Sequence, residues 1–244
     1  MNRSSKTAAV AGTVVAGVLA FPGPPAAALG GELWGTATIA PGREGILDIA
    51  GSAAAAPGAT VTLTAPRGTR VTATPLDAPG YLGRVAADGR SGTYTVTGAA
   101  AQSWQGRTFP FVLAVPADAV PGTRLRDCVL RITDADGVRQ AAGRCAVTVG
   151  LAGPTLTRPL SGVPLDVRPQ IAGTAHPGAR VTVRDKDDRE ACATTAAADG
   201  TWTCTPRPAL PAGANRLQAV ATLNGVSAVS EQIDISVADT GARQ

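Results

Sequence analysis

Cysteine is the residue type with the most definite chemistry in this 244-residue chain, which contains four of them. Cys128 and Cys145 flank the dipeptide Asp136-Gly137, which is typical of a two-residue β-hairpin loop. Counting outward from such a loop places the two cysteines directly opposite each other. The alternation of the ladder makes this a non-hydrogen-bonded pair, where antiparallel strands lie closest, so we expect a disulfide between them.

The other two cysteines also flank a short loop. Cys192 and Cys204 lie on either side of residues 196–200, and we expect them to meet across this segment. Four cysteines allow three pairings, and the spacing favours the two local ones. Each bridge closes a short loop and is worth about 3 kcal/mol on the chain-entropy account. Zinc binding or thiol redox chemistry would call for C-x-x-C spacing, which the chain lacks.

His176 is the single histidine of the chain, which excludes zinc sites built from several histidines. It lies between Ala175 and Pro177, in a turn that precedes a strand-like run. A secreted hydrolase would need it as a base beside a serine and an aspartate, and no G-x-S-x-G segment supplies the nucleophile. We therefore expect a solvated turn residue and a non-enzymatic protein without cofactor or resident metal. The hydrolase is the least favoured alternative.

Residues 185–190 form an acidic segment, Asp185-Lys-Asp-Asp-Arg-Glu190. Clustered carboxylates can bind calcium, but the segment lacks the EF-hand spacing and contains its own positive charges. The pattern favours a solvated hairpin tip and leaves calcium binding by residues 185–190 open.

Five arginines are concentrated around the Cys128–Cys145 hairpin: Arg124, Arg126, Arg131, Arg139 and Arg144. Arg131 and Arg144 are candidate contacts to an anionic polymer of the cell envelope. Simple alternation places Arg124 and Arg126 on the opposite face from Arg131, and aspartates are interleaved. A solvated surface of mixed charge is therefore favoured. The chain has no run of basic residues, so we expect no nucleic-acid partner.

Aromatic residues make up only 3% of the chain. Trp34 with Tyr81, or Trp104, would provide a stacking surface for sugar rings, so a carbohydrate-binding accessory protein is the alternative function. Two exposed, coplanar rings on one face would favour it. Trp202 shares a strand face with Cys204, and we expect its ring to pack on the disulfide inside a core.

The first 28 residues have the order of a secretory signal peptide. Two basic residues precede an uncharged stretch, residues 8–21, which is too short to span a bilayer. A Pro-rich segment that would end any helix follows, and then a run of small residues. We therefore expect cleavage after Ala28, with Ala20 as the alternative. Loss of the two basic residues lowers the formal net charge from +4 to +2. We expect a secreted mature chain, without an integral membrane span, that is free or loosely associated with the cell wall.

The elements that position these residues are short runs rich in β-branched residues, separated by Pro, Gly and Asp turns. No helical stripe occurs outside the leader, so the sequence predicts an all-β protein. Residues 49–63 and 171–183 repeat each other. Two tandem β-sandwiches, 29–152 and 153–238, account for the repeat.

Two further segments complete this division of the chain. The first sandwich is the longer one, and its extra length is assigned to long loops at 73–90 and 99–108. Residues 239–244 are expected to form a disordered tail.

Residues 153–238 carry a family resemblance. It rests on the segments Gly173-Thr-Ala-His-Pro-Gly-Ala-Arg-Val-Thr-Val183, Ala198-Asp-Gly-Thr-Trp-Thr203, Ala209-Leu-Pro-Ala-Gly213, Leu217-Gln-Ala-Val-Ala221 and Asn224-Gly-Val-Ser227. In order and spacing these resemble the bacterial immunoglobulin-like (Big-type) domains, with a looser match over 32–150. The resemblance implies a seven-strand Greek-key sandwich that acts as a spacer, adhesion or accessory module. Leu223-Asn224 stands where the family usually has an Asp, which argues against the interdomain calcium binding of some relatives.

These observations predict two tandem immunoglobulin-like sandwiches in a secreted, non-enzymatic protein. Its function would be structural, adhesive or spacing at the cell envelope. The expected partner is an envelope polymer, a polysaccharide or a surface protein.

Overall fold

The computed structural model describes residues 33–50, 56–98, 108–162 and 164–239. They form eighteen β-strands joined by turns and loops, so the all-β prediction is confirmed. The expected signal peptide, the residues after 239 and Trp104 lie outside the described residues. Nowhere in these four ranges is there a helix with the length and apolar character needed to cross a bilayer.

Ten strands lie between residues 33 and 149, where apolar and polar residues alternate. They are β1 (Leu33–Ile39), β2 (Glu44–Ile49), β3 (Thr60–Thr64), β4 (Arg70–Ala73), β5 (Tyr81–Val85), β6 (Ser91–Val96), β7 (Phe109–Ala114), β8 (Arg124–Leu125), β9 (Val129–Thr133) and β10 (Arg139–Val149). Seven strands form one sheet in the order β1-β10-β9-β3-β6-β5, with β8 also paired to β10. The strands β2-β7-β4 form the second sheet, and we call these ten strands the first sandwich.

Eight further strands form the second sandwich. They are β11 (Pro164–Leu165), β12 (Ile171–Thr174), β13 (Arg180–Arg184), β14 (Glu190–Thr195), β15 (Thr201–Cys204), β16 (Gly213–Leu223), β17 (Val226–Val229) and β18 (Ile233–Val237). One sheet has the order β11-β18-β16-β13-β14, with β17 paired to β16, and β12-β15 form the other. In both sandwiches the first strand runs parallel to the last, as β1 with β10 and β11 with β18.

Each sandwich has a separate hydrophobic cluster between its sheets, because alternate residues of every long strand point inward. Leu47, Tyr94 and Phe111 are fully buried in the first cluster, and Ile171 and Leu217 in the second. The domain limits 29–152 and 153–238 stay a prediction.

Tyr94 joins the two sheets of the first sandwich. Its ring lies in the core, 5.0 Å from the ring of Phe111 in an edge contact. The phenol donates a hydrogen bond to Pro110 O at 2.5 Å and accepts one from Leu76 N at 3.0 Å. Burial raises the pKa of Tyr94 to about 12; the Leu76 hydrogen bond works against this rise and the charge of Asp48 adds to it.

The hairpin between β9 and β10 carries the first disulfide, and its loop differs from the prediction. Asp134 N donates to Val138 O at 3.0 Å, so the loop has three residues, with Gly137 at φ 79°. The predicted two-residue loop is wrong. An extra residue in β10, Gln140, shifts the register back and brings Cys128 opposite Cys145, with 5.3 Å between the Cα atoms.

The second disulfide joins Cys192 to Cys204 across the sandwich. Cys192 belongs to β14 and Cys204 to β15, which lie in different sheets, so this bridge links the two layers and is not a hairpin bridge. Trp202 is 4% exposed in the same cluster as both cysteines. Its ring lies over Gly173, where an added Cβ would come within 2.8 Å of Trp202 Cζ2.

Part of the predicted loop at 73–90 is a strand. β5 pairs with β6 through its whole length, from Tyr81 to Val85. Gly83 interrupts the apolar pattern at its centre, and the structure gives a reason: an added Cβ would come within 2.8 Å of Thr74 Cβ. The loop prediction is therefore wrong over these residues. The second predicted loop, 99–108, lies almost entirely outside the described residues.

Candidate functional site

The outer side of the seven-stranded sheet in the first sandwich is a mainly polar surface. Nineteen paired residues face outward there, opposite in direction to the buried residues that alternate with them. They are Trp34, Thr36 and Thr38 on β1; Thr60, Thr62 and Thr64 on β3; Leu82 and Arg84 on β5; Ser91, Thr93 and Thr95 on β6; Arg124 on β8; Val129, Arg131 and Thr133 on β9; and Ala142, Arg144, Ala146 and Thr148 on β10. We call this surface the threonine–arginine face.

Hydrogen bonds between threonine side chains cross the strands of this face. The hydroxyls of Thr60 and Thr133 lie 2.6 Å apart, and those of Thr62 and Thr93 lie 3.1 Å apart. Cross-strand threonine pairs of this kind stabilise a sheet and fix the side-chain rotamers. The face therefore presents hydroxyl groups at fixed positions.

The charge of the face is entirely positive. The charged residues among these nineteen positions are Arg84, Arg124, Arg131 and Arg144, and none of the nineteen is Asp or Glu. A further exposed arginine, Arg139, pairs with Thr133 beside the bulge of β10, where the face ends. None of the four guanidinium groups forms an ion pair with any residue that the structure describes. They are free to bind an anion from outside the sheet.

Asp134 follows the face directly at the end of β9, but its carboxylate is occupied. Oδ1 accepts hydrogen bonds from the backbone N–H of Asp136 at 3.0 Å and of Val138 at 2.8 Å. Oδ2 accepts a hydrogen bond from Gln140 Nε2 at 2.6 Å. This aspartate holds the hairpin loop together, and the ion pairs of the described residues do not join it to an arginine of the face.

The position of Arg124 corrects the sequence prediction. Arg124 pairs with Thr148 and so lies on the same face as Arg131 and Arg144. Alternation fails between β8 and β9 because Asp127 has a left-handed backbone, with φ 67°. The interleaved aspartates that suggested a mixed surface lie in loops and not among the paired residues of the face.

The predicted aromatic contacts are separated. Trp34 lies on the threonine–arginine face, is 58% exposed and pairs with Arg144. Tyr81 points inward, with its ring 5.6 Å from that of Phe109, and burial raises its pKa. Since β1 and β5 are at opposite ends of the sheet order, Trp34 and Tyr81 form no common stacking surface.

His176 lies in the turn between β12 and β13. Its Nδ1 is 2.9 Å from Pro177 O, and the residue is partly exposed. The hydrogen bonds of the described residues do not join it to a serine or an aspartate, as a hydrolase would require.

The acidic segment 185–190 forms the hairpin loop between β13 and β14. Asp185 is 8% exposed, and its Oδ1 accepts hydrogen bonds from Asp187 N at 2.9 Å and Arg189 N at 3.0 Å. The Lys186 ammonium binds the Asp187 carboxylate and holds its pKa below the usual value. Within the four described ranges, no three His, Cys, Asp or Glu side chains come together as metal ligands would.

Asn224 occupies the position that the family resemblance associates with an Asp. It is the first residue of a two-residue turn between β16 and β17, with φ 49°. Its side-chain Nδ2 donates a hydrogen bond to Pro121 O of the first sandwich at 3.0 Å. The group that faces the first sandwich is thus a donor, where a calcium ion would need an oxygen ligand.

The fold defines an immunoglobulin-like β-sandwich protein. Residues 166–239 match the sequence model of the bacterial Ig domain, so the predicted resemblance is confirmed for this part of the chain. No curated protein matches the chain.

Several solved structures are similar to this chain at low identity. A domain of a biofilm-associated protein is 17% identical with a TM-score of 0.30, and the match covers 86% of this chain and 30% of that one. The major pilin subunit of Bacillus cereus is 14% identical with a TM-score of 0.35, covering 86% and 66%. A non-cellulosomal cohesin from Archaeoglobus fulgidus is 12% identical with a TM-score of 0.30, covering 49% and 91%. Likeness at this level assigns no function.

Proposed function

We propose that this protein is a secreted, non-enzymatic structural or adhesive module of the bacterial cell envelope. In this proposal a signal peptide, residues 1–28, precedes two domains, 29–152 and 153–238. The threonine–arginine face attaches the module to its envelope partner. The observation that carries the proposal is the presence of four unpaired arginines on a face without carboxylates.

The surroundings of the candidate catalytic residues support a non-enzymatic role. The Nδ1 atom of His176 contacts the backbone carbonyl of Pro177, and the hydrogen bonds of the described residues join the ring to no serine or aspartate. A general base needs a nucleophile within hydrogen-bond reach. The match of residues 166–239 to the bacterial Ig domain agrees with a structural or adhesive role.

The alternative is a carbohydrate-binding accessory protein that uses exposed aromatic side chains. Trp34 is the observation in its favour, because 58% of its surface is exposed. Tyr81 packs against Phe109 and cannot supply the second ring. We therefore prefer attachment through charge, with Trp34 as an added contact.

The test compares retention on isolated cell-envelope fragments. The face variant carries R84Q, R131Q and R144Q. The matched control variant carries R43Q, R70Q and R180Q, which remove the same charge at exposed positions outside the face. We expect the unmodified protein and the control variant to sediment with the envelope, and the face variant to stay in the supernatant.

Equal release of both variants would contradict attachment through the face. The proposed secretion is checked on the same cells, because the secreted protein should start at Leu29 on N-terminal sequencing. Retention of residues 1–28 would rule out the proposed processing.

A further inference from the structure

The four arginines of the threonine–arginine face are spread over the sheet. Arg131 and Arg144 are diagonal neighbours on adjacent strands, which places their Cβ atoms about 7 Å apart. Arg131 and Arg84 lie three strands apart in one cross-strand row, so their Cβ atoms are about 14 Å apart. Arg124 pairs with Thr148, which lies four residues along β10 from Arg144, so the Cβ atoms of Arg124 and Arg144 are about 14 Å apart.

This spacing decides between a compact anion and an extended one. A single phosphate or carboxylate is bound by donors that converge on one point. Arg131 and Arg144, with Cβ atoms about 7 Å apart, can share one anionic group through their long side chains. Arg84 and Arg124 each lie about 14 Å from the nearer member of this pair, too far to bind the same group on a flat surface. The whole set matches a chain that carries one negative charge on each of several successive units.

The neutral part of the face indicates the chemistry of that chain. Between the arginines lie threonine hydroxyls, which both donate and accept hydrogen bonds, as sugar hydroxyls do. Trp34 lies beside Arg144 with its ring exposed, so a sugar ring stacked on it would bring its carboxylate to the guanidinium.

Other polyanions fit the face less well. Single-stranded nucleic acid is held by aromatic side chains that stack successive bases, and this face has one such ring, at its edge. Attachment to an anionic membrane relies on a basic patch with apolar side chains that enter the lipid. The two large exposed apolar residues here, Trp34 and Leu82, are at opposite ends of the sheet.

We propose that the threonine–arginine face binds a linear acidic polysaccharide, with the sugar carboxylates on its arginines and one sugar ring on Trp34. The inference rests on the proposed attachment through this face and names the class of polymer. Its binding should weaken as salt is added, because exposed charge pairs are screened at high ionic strength.

The experiment uses polygalacturonate as the probe and the methyl-esterified polymer as its uncharged counterpart. Affinity is measured by native electrophoresis through gels that contain each polymer, on the full protein with its disulfides intact. We expect the unmodified protein to bind polygalacturonate at least about tenfold more tightly than the ester. The face variant should lose about tenfold, since each exposed charge pair contributes modestly, and the control variant should stay within about twofold.

Trp34→Ala separates the sugar contact from the charge contact. It should weaken binding to both polymers severalfold, because stacking does not depend on the carboxylate. Thermal unfolding of every variant is measured alongside, and only variants that unfold as the unmodified protein does are compared.

Three outcomes would overturn the inference: no binding of polygalacturonate by the unmodified protein, equal losses in the face and control variants, or equal binding to polyglutamate, single-stranded DNA or phosphatidylglycerol vesicles. Loss of envelope retention in the face variant together with failure to bind polygalacturonate would leave the attachment role standing and refute the polymer class. Retention of the face variant on the envelope would refute the attachment role itself.

Discussion

Tyr94→Phe removes one oxygen atom from the centre of the first sandwich and keeps the ring. The phenol is fully buried and binds two backbone groups: it donates to Pro110 O at 2.5 Å and accepts from Leu76 N at 3.0 Å. Pro110 belongs to the smaller sheet and Leu76 to the segment between β4 and β5, so one side chain ties three parts of the sandwich together.

The expected cost follows from the groups left behind. A buried backbone N–H or C=O that loses its partner costs about 1–3 kcal/mol. Pro110 O has a second lone pair for other partners, whereas Leu76 N–H has a single hydrogen, so most of the cost comes from Leu76. We expect Tyr94→Phe to lower the free energy of unfolding by about 2–3 kcal/mol, although the ring contacts with Phe111 are kept.

The assay is urea denaturation followed by near-ultraviolet circular dichroism, with the denaturant slope compared between variants. Thr157→Val is the control, because Thr157 Oγ1 donates an exposed hydrogen bond of 3.2 Å to Ala172 O. We expect the control to change stability by less than about 0.5 kcal/mol. A Tyr94→Phe protein as stable as the control would refute the assignment of Tyr94 as the tie between the sheets.

Three further predictions concern the same scaffold. Burial raises the pKa of Tyr94 from about 10 in the unfolded chain to about 12. The free energy of unfolding should therefore fall by about 2–3 kcal/mol between pH 10 and pH 12. The Tyr94→Phe protein should lack this part of the loss when its stability is measured over the same pH range. Replacing Cys192 and Cys204 together by alanine should cost about 3 kcal/mol in thermal or urea unfolding, and non-reducing peptide mapping that found either cysteine free or cross-paired would contradict the bridge. Asp188 has φ 58° at the loop position that Gly137 occupies in the β9–β10 hairpin. Asp188→Gly should therefore raise the free energy of unfolding by about 0.5–1 kcal/mol. A lower free energy of unfolding in urea denaturation would disprove strain at that position.

The alternation of apolar and polar residues predicted the strands that bury one face. It did not predict strands whose formation depends on pairing with a neighbouring strand. β3 and β9 alternate cleanly, so their inward residues Leu63 and Leu130 could be identified from the sequence. β5 could not, because Gly83 breaks its apolar pattern and Arg84 faces solvent. Its pairing with β6 is what makes it a strand.

The candidate site shows a different limit of sequence reasoning. Arg131 and Arg144 could be selected because they lie in clear strands on either side of a loop. Arg124 was assigned to the wrong face, because a left-handed Asp127 reverses the alternation without any signal in residue type. Arg84 could not be assigned to the threonine–arginine face from the sequence, because its place there depends on the strand order, which puts β5 in the same sheet as β9.

The disulfide predictions rested on the spacing of the cysteines in the sequence. Spacing predicts which cysteines meet, but it does not predict the turn or the sheet that brings them together. Cys128 meets Cys145 although the loop has one residue more than predicted, because Gln140 is an extra residue in the facing strand. Cys192 meets Cys204 between layers, since the loop after β14 carries the chain into the other sheet.

The parallel pairing of first and last strands has a mechanical consequence for a protein that is pulled from both ends. Tension applied at Leu33 and Val149 would draw β1 and β10 past each other, so the seven register pairs of their ladder would be loaded in shear and would have to yield together. In the second sandwich the ladder between β11 and β18 has only two register pairs. Under rising force we therefore expect the second sandwich to open first. The Cys192–Cys204 bridge would then keep the residues between the two cysteines from extending, which shortens the stretch released at that step.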